Sequence, residues 1–171
     1  MSKQEQRWAV VYCLRPSEGS CPSVLLGRRT RNPVQGCLVG PGGGIEDGET
    51  VQQAVIRELK EETGLDVLAS DLRRVAELHL TFGHSQRPPA VVHVCLAFGT
   101  WDCPLVGNGE LDGLRWYPVL DVPMGQLPPA DSLWFRSVMR DPDGYRRFDI
   151  EVTNGYETAK LLAEERRPRP L

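Results

Sequence analysis

The chain has no cationic excess, no long apolar run and no cysteine pairs, and each lack removes a class of function. A formal charge of −3 is wrong for a protein that grips a nucleic-acid backbone, since such surfaces need a clear surplus of lysine and arginine. A small polyanion remains a suitable partner. No stretch approaches the apolar length of a bilayer span, and the opening MSKQEQRWAVVYCL carries charge, with no apolar core ending in a small-residue cleavage site. The expectation is a cytoplasmic chain with neither a membrane nor a nucleic-acid polymer as partner; monomer and homodimer both stay open. Five cysteines, Cys13, Cys21, Cys37, Cys95 and Cys103, form no C-x-x-C, and an odd number cannot complete a disulfide framework. Cys13, Cys37 and Cys95 lie in apolar runs, where a reduced cysteine behaves as a small buried hydrophobe.

What is present suits one globular domain. A length of 171 residues with 40% apolar content supports a single core, expected over about residues 7–165 of a domain spanning 1–171. The basic tail, Arg166, Arg167 and Arg169 broken by Pro168 and Pro170, reads as a solvated, frayed end. No fixed-period repeat occurs. RWAVVYCL (7–14) and SVLLGRR (23–29) are β-branched-rich runs around turn chemistry and predict a hairpin. LRRVAELHLTF (72–82) and AVVHVCLAFGTW (90–101) predict a second. Further strands are expected in CLVGPGGGI (37–45), RWYPVL (115–120) and YRRFDIEV (145–152). Asp131 is placed to cap a helix through SLWFRSVM, and YETAKLLAEE (156–165) reads as a terminal helix. The resulting class is α+β, a mixed β-sheet sandwiched between helices. Trp134, Phe135 and His93 are read as core residues rather than ligands.

The informative segment is GGGIEDGETVQQAVIRELKEETGL. Thr50 with Gln53 makes a capping box and Gly64 a left-handed stop, so a helix runs from about Val51. Val51, Ala54, Val55 and Leu59 form its packing stripe. At about 100° per residue, Glu58, Glu61 and Glu62 fall within an arc that overlaps that stripe. Clustered carboxylates on a half-buried side repel one another and lose hydration, and divalent cations would resolve this, because Mg²⁺ takes carboxylate oxygens and shares its remaining positions with substrate phosphates. Gly42, Gly43 and Gly44 let the backbone approach a metal or phosphate closely.

Gly43, Glu49 and Arg57-Glu58-Leu59-x-Glu61-Glu62-x-Gly64-Leu65 match the Nudix box at all its defined positions, and the chain resembles that family. The resemblance implies the Nudix fold and Mg²⁺-dependent (or Mn²⁺-dependent) hydrolysis of a nucleoside diphosphate linked to another group. Glu58, Glu61, Glu62 and the Gly43 carbonyl would be metal ligands, Glu58 would also take the proton of the attacking water, and Arg57, paired with Glu49, would orient a glutamate. Glu110 is preferred over Asp112 as a further ligand ahead of Trp116-Tyr117. Segments such as VLLGRR, ADSLWF and DGYRRFDI are similar to the MutT-like branch that removes diphosphate from oxidised purine nucleoside triphosphates such as 8-oxo-dGTP. By that likeness Arg29 faces the nucleotide and Asp131 reads the base. Val39 stands where that branch has a base-reading asparagine, Pro128 where it has a stacking tryptophan and Ala130 where it has a second acid; these departures remove hydrogen-bond readout and put purine selectivity in question.

Overall fold

The computed structural model describes residues 5–19 and 21–170; the first four residues and the last, ends of the expected domain, lie outside this range. Among the described residues nine strands share one mixed sheet: β1 (Gln6–Arg15), β2 (Ser23–Arg29), β3 (Leu38–Val39), β4 (Gly42–Gly44), β5 (Leu72–Phe82), β6 (Ala90–Phe98), β7 (Leu111–Pro118), β8 (Arg146–Thr153) and β9 (Thr158–Arg166). The main order is β3-β2-β1-β6-β5-β8-β9, with β4 paired to β1 and β7 to β2. β1 runs parallel to β6, and β5 parallel to β8. Helices α1 (Val51–Thr63) and α2 (Pro129–Arg140) cover opposite faces.

Alternation along β1 builds both layers. Ala9, Val11 and Cys13 face α1 in one apolar cluster, while Tyr12 and Leu14 face α2 in the other, as the period of two in a strand requires. The stripe of α1 packs as its spacing predicts: Ala54 and Leu59 are fully buried, and Val51 and Val55 nearly so. A leucine buried this completely contributes about 2 kcal/mol, so Leu59→Ala would loosen the helix from the sheet. Both ends of α1 are set by sequence. Thr50 Oγ1 accepts from the Gln53 N–H while Gln53 returns a bond to the Thr50 N–H, and Gly64 sits at φ 77° and donates to the Lys60 carbonyl.

Several expectations are corrected by tertiary pairing. Residues 156–165 do not form a helix, although alanine, leucine, lysine and glutamate favour one; the segment completes the backbone bonds of β8 as strand β9, and pairing outweighs local propensity. The first hairpin is only a neck, since β1 meets β2 at Leu14 and Arg15 alone, and β2 spends its length on β7. β7 starts earlier than expected, at Leu111, and ends at Pro118, while β6 stops at Phe98 and leaves Trp101 to stack on Trp116 at 5.9 Å. Asp131 is no cap: α2 begins at Pro129, after Pro128, with no side-chain cap bond. Proline suits that position because its missing N–H would have had no helical partner. The basic tail is tied down rather than frayed. Arg166 pairs with Asp141, Arg167 with Glu77 and Glu165, and Arg169 donates to the Asp143 carbonyl.

Cys13 and Cys95 are buried, and burial pushes the Cys95 thiol up to about 12; Cys37 is only half-buried. His93 is a satisfied strand histidine. Its Nδ1 lies 3.1 Å from Arg74 Nη2, and burial with the neighbouring arginine brings its pKa down to about 4. Trp134 and Phe135 are core side chains.

Candidate active site

The glycine strand β4 and the last turns of α1 meet beside β1. Gly43 lies opposite Ala9 in register, and a Cβ placed there would stand 2.5 Å from Glu58 Cδ. Only glycine lets backbone and carboxylate come this close. Gly42 donates its N–H to Glu62 Oε2 at 2.7 Å, so loop and helix are joined through the acid itself. Gly44 is exposed, does not line the adjoining cavity, and accepts from Arg57 Nη2 at 3.0 Å.

The acids differ in burial. Glu62 is fully buried and Glu58 nearly so, but the Glu61 side chain is 53% exposed and 3.7 Å from Arg57, which corrects the expectation that all three turn inward. The buried pair is also already compensated by the chain. Arg57 grips Glu49 through Nε–Oε1 and Nη2–Oε2 bonds of 2.9 Å each and donates from Nη1 to Glu58 Oε1 at 2.6 Å. The eight-residue spacing of Glu49 and Arg57 thus forms a two-pronged clamp, and the Arg57 hydrogen bond holds the Glu49 carboxyl below its usual range. Arg29 Nη1 donates to Glu62 Oε1 at 2.8 Å and lies 3.8 Å from Glu110 Oε2, which also pairs with Arg31. Burial raises Glu62 to about 7; the Gly42 N–H and Arg29 oppose that rise, while Glu58 and Glu110 add to it. Glu110 therefore belongs to the charged cluster. Asp112 is exposed on β7, in register with Arg28, and its side chain accepts from the Gly113 N–H.

A cavity of about 280 Å³ opens from this cluster across the α2 face of the sheet. Arg29, Gly42 and Gly43 border it at one side; Val39, Pro128 and Ala130 line its wall. Asp131 reaches it from the first turn of α2. Tyr12 OH donates to Asp131 Oδ2 at 3.4 Å and Trp134 Nε1 to Oδ1 at 3.2 Å. Burial raises the Asp131 carboxyl to about 6 despite those bonds. Sequence reasoning missed Tyr12, Trp8, Arg87 and Tyr156. Asn154-Gly155, a turn dipeptide, was the one local signal for Tyr156.

The chain belongs to the Nudix family: the model of the NUDIX domain matches residues 5–140. It is a Nudix hydrolase of MutT-like type. The oxidized purine nucleoside triphosphate hydrolase of Mus musculus is 32% identical over 129 residues, 75% of this chain and 76% of that one. An ADP-ribose pyrophosphatase of Methanocaldococcus jannaschii is 60% identical over 42 residues, and the chain spans only 25% of that relative. The crystal structure of a MutT protein from Bacillus halodurans superposes with a TM-score of 0.74 over 96% of this chain and 99% of that one, a likeness of fold at 21% identity.

Nudix hydrolases generally use divalent metal ions. Among the described residues no three acidic, histidine or cysteine side chains already converge as a ligand set, because arginines and a backbone N–H hold the acids. The donors nevertheless fit such an ion. Carboxylates from two successive turns of α1 face the cradle that only a glycine leaves open at position 43, and hard oxygen donors are what Mg²⁺ and Mn²⁺ prefer.

Proposed function

We propose that this hydrolase converts a (deoxy)nucleoside triphosphate to monophosphate and pyrophosphate with Mg²⁺, or Mn²⁺ in its place, and that oxidised purine nucleotides such as 8-oxo-dGTP lead its substrates. One juxtaposition carries the reading: the Gly42–Gly43 strand, flanked by Glu58 and Glu62, borders an apolar cavity that also holds the half-buried acid Asp131. A polyphosphate fits the first half and a nucleoside the second, in a cavity near the lower end of ligand-pocket volumes, about 300 Å³.

A bound divalent ion would neutralise phosphate charge and make a water easier to deprotonate. Glu58, Glu61, Glu62, Glu110 and the Gly43 carbonyl are the oxygens available to hold it. Glu58 is also the base for the attacking water, and Arg57, fixed by Glu49, sets its direction. Arg29 stands beside the phosphates, and Asp131 meets the base. The tail, the strands and both helices form one domain.

A second reading is hydrolysis of another nucleoside diphosphate derivative, such as a nucleotide sugar or a modified pyrimidine triphosphate. It is favoured by the absence of base-reading groups at Val39, Pro128 and Ala130, and by the likeness over 42 residues to an ADP-ribose pyrophosphatase. A panel of nucleotides assayed for phosphate and pyrophosphate release separates the two: preference for oxidised purine triphosphates supports the first, and preference for a nucleotide sugar overturns it. A sensor that binds without cleaving predicts equal inactivity of the native chain and Glu58→Gln across the panel.

A further inference from the structure

The cavity crosses the sheet from β1 to a corner built by residues far apart in sequence. Val92 on β6 pairs with Trp8 on β1 and with Leu78 on β5, so β5 lies two strand spacings, about 10 Å, from β1, whose other edge pairs with the glycine strand β4. At the end of β5, Phe82 is in register with Val152, and the chain then turns back through Asn154, Gly155 and Tyr156. These three successive residues have φ of 50°, 65° and 81°. Asparagine and glycine accept that region; a tyrosine with its Cβ does so only against steric resistance. Such outliers cluster at ligand clamps, and this one delivers a ring to a cavity.

The Tyr156 ring lies 5.3 Å from Phe82, tilted by 50°, and carries the Arg87 guanidinium over its face at 5.2 Å. Phe82, Arg87 and Tyr156 all line the cavity. Arg87 is exposed and makes no carboxylate ion pair among the described residues; its guanidinium neighbours the aromatic ring instead. Away from Arg29 and this corner the wall is mainly apolar: Val39, Ala130 and Pro128 have no side-chain donors, Asp131 is already shared between Tyr12 and Trp134, and Gln6 and the Trp8 indole are the other polar side chains. A base entering at this corner meets the Arg87 guanidinium beside an aromatic ring.

We propose that Arg87, over the face of Tyr156, is the surface on which the substrate's base stacks. Arg87 then sets selection for the presence and breadth of a base, and leaves the reading of its edge to Asp131. The inference rests on the nucleotide reading above and names what fixes specificity within it. Stacking tolerates different bases because each has a π-face, and arginine serves better than lysine because its guanidinium is planar and weakly hydrated.

The test compares the native enzyme, Arg87→Ala and Arg87→Lys on a purine nucleoside triphosphate, a pyrimidine nucleoside triphosphate and ribose 5-triphosphate, with Mg²⁺. Arg87→Ala should raise KM for base-bearing substrates about tenfold to a hundredfold, more for the purine, with kcat kept and the KM for ribose 5-triphosphate unchanged. Arg87→Lys should behave like the alanine variant. A parallel rise for ribose 5-triphosphate would assign Arg87 to the phosphates, full recovery by lysine would assign it to charge pairing, and no change on any substrate would remove its role; each overturns the proposal. Calorimetric binding of a nucleoside monophosphate against ribose 5-phosphate decides the matter apart from hydrolysis. If the native enzyme cleaves none of the three triphosphates, the nucleotide-triphosphatase reading fails, yet weaker nucleoside monophosphate binding by Arg87→Ala still sustains the stacking surface. Equal affinities, or no binding by the native enzyme, overturn it.

Discussion

The two sides of the cavity solve the problem of burial in opposite ways. At the glycine loop, charge is dense and matched: Glu58 and Glu62 are withdrawn from water but answered by Arg57, Arg29 and the Gly42 N–H. Across the sheet, polar groups are sparse, and the half-buried acid Asp131 rests on two neutral donors with burial raising its pKa. The first arrangement is poised for exchange, since each arginine can yield its carboxylate oxygen to an incoming cation. The second is poised for shape. On the proposed function, chemistry and recognition are therefore separable by mutation.

The largest expected effect lies at the charged side. Glu58→Gln should cut turnover about a thousandfold or more, the scale seen when a group acting on developing charge is removed, with an unaltered circular dichroism spectrum. A loss of only a few-fold would move the base elsewhere. Arg57→Lys comes next. It gives up the two-pronged grip on Glu49 as well as the bond to Glu58, and a loss of about tenfold to a hundredfold in kcat is expected from disordering an orienting residue. Gly43→Ala forces a methyl onto the Glu58 carboxylate. It should lower stability by about 1–3 kcal/mol and reduce activity with it, read by thermal melts and turnover on the same sample.

The apolar side should answer more gently, and to pH. Asp131 has a folded pKa of about 6 against an ordinary 3.8, so the folded state keeps its proton to higher pH than the unfolded chain. The stability associated with that proton is complete below about pH 4 and is lost as pH rises through 6, by about 1–3 kcal/mol. Asp131→Asn should flatten that part of the pH–stability curve in denaturant titrations. His93 runs the other way. With its folded pKa near 4, it contributes stability above about pH 6.5 that is lost as pH falls toward 4; His93→Gln should remove that slope. Val39→Asn, the smallest change, should leave turnover on common nucleotides within about threefold while sharpening discrimination between purines, because a site that offers hydrogen bonds rejects ligands that cannot return them.

The same contrast explains what the sequence made legible. The charged side is nearly contiguous: cap, stripe, stop and acids all lie between Gly42 and Leu65, and helical spacing alone aligns them. The Glu49–Arg57 clamp follows from a separation of two helical turns plus the loop. Helical spacing overstates the burial of Glu61, because the arc marks a side of α1, not how far neighbouring loops extend over it. The apolar side draws on β1, β5, β6, α2 and the turn after β8, and register, invisible locally, brings these together. Asp131 reads as a cap because serine and aspartate begin helices, but Pro129 starts α2 first and turns the acid inward beneath Tyr12. Residues 158–166 carry helix formers, yet they are claimed by the open edge of β8.

The most direct measurement is pyrophosphate release from a nucleoside triphosphate as Mg²⁺ is titrated from zero, for the native enzyme and for Glu58→Gln side by side. Release should rise with Mg²⁺ and saturate in the native enzyme, and stay near background in the variant at every concentration. Native release that is undiminished in chelator, or equal in the two proteins, would contradict the assignment of this acidic turn as the catalytic centre.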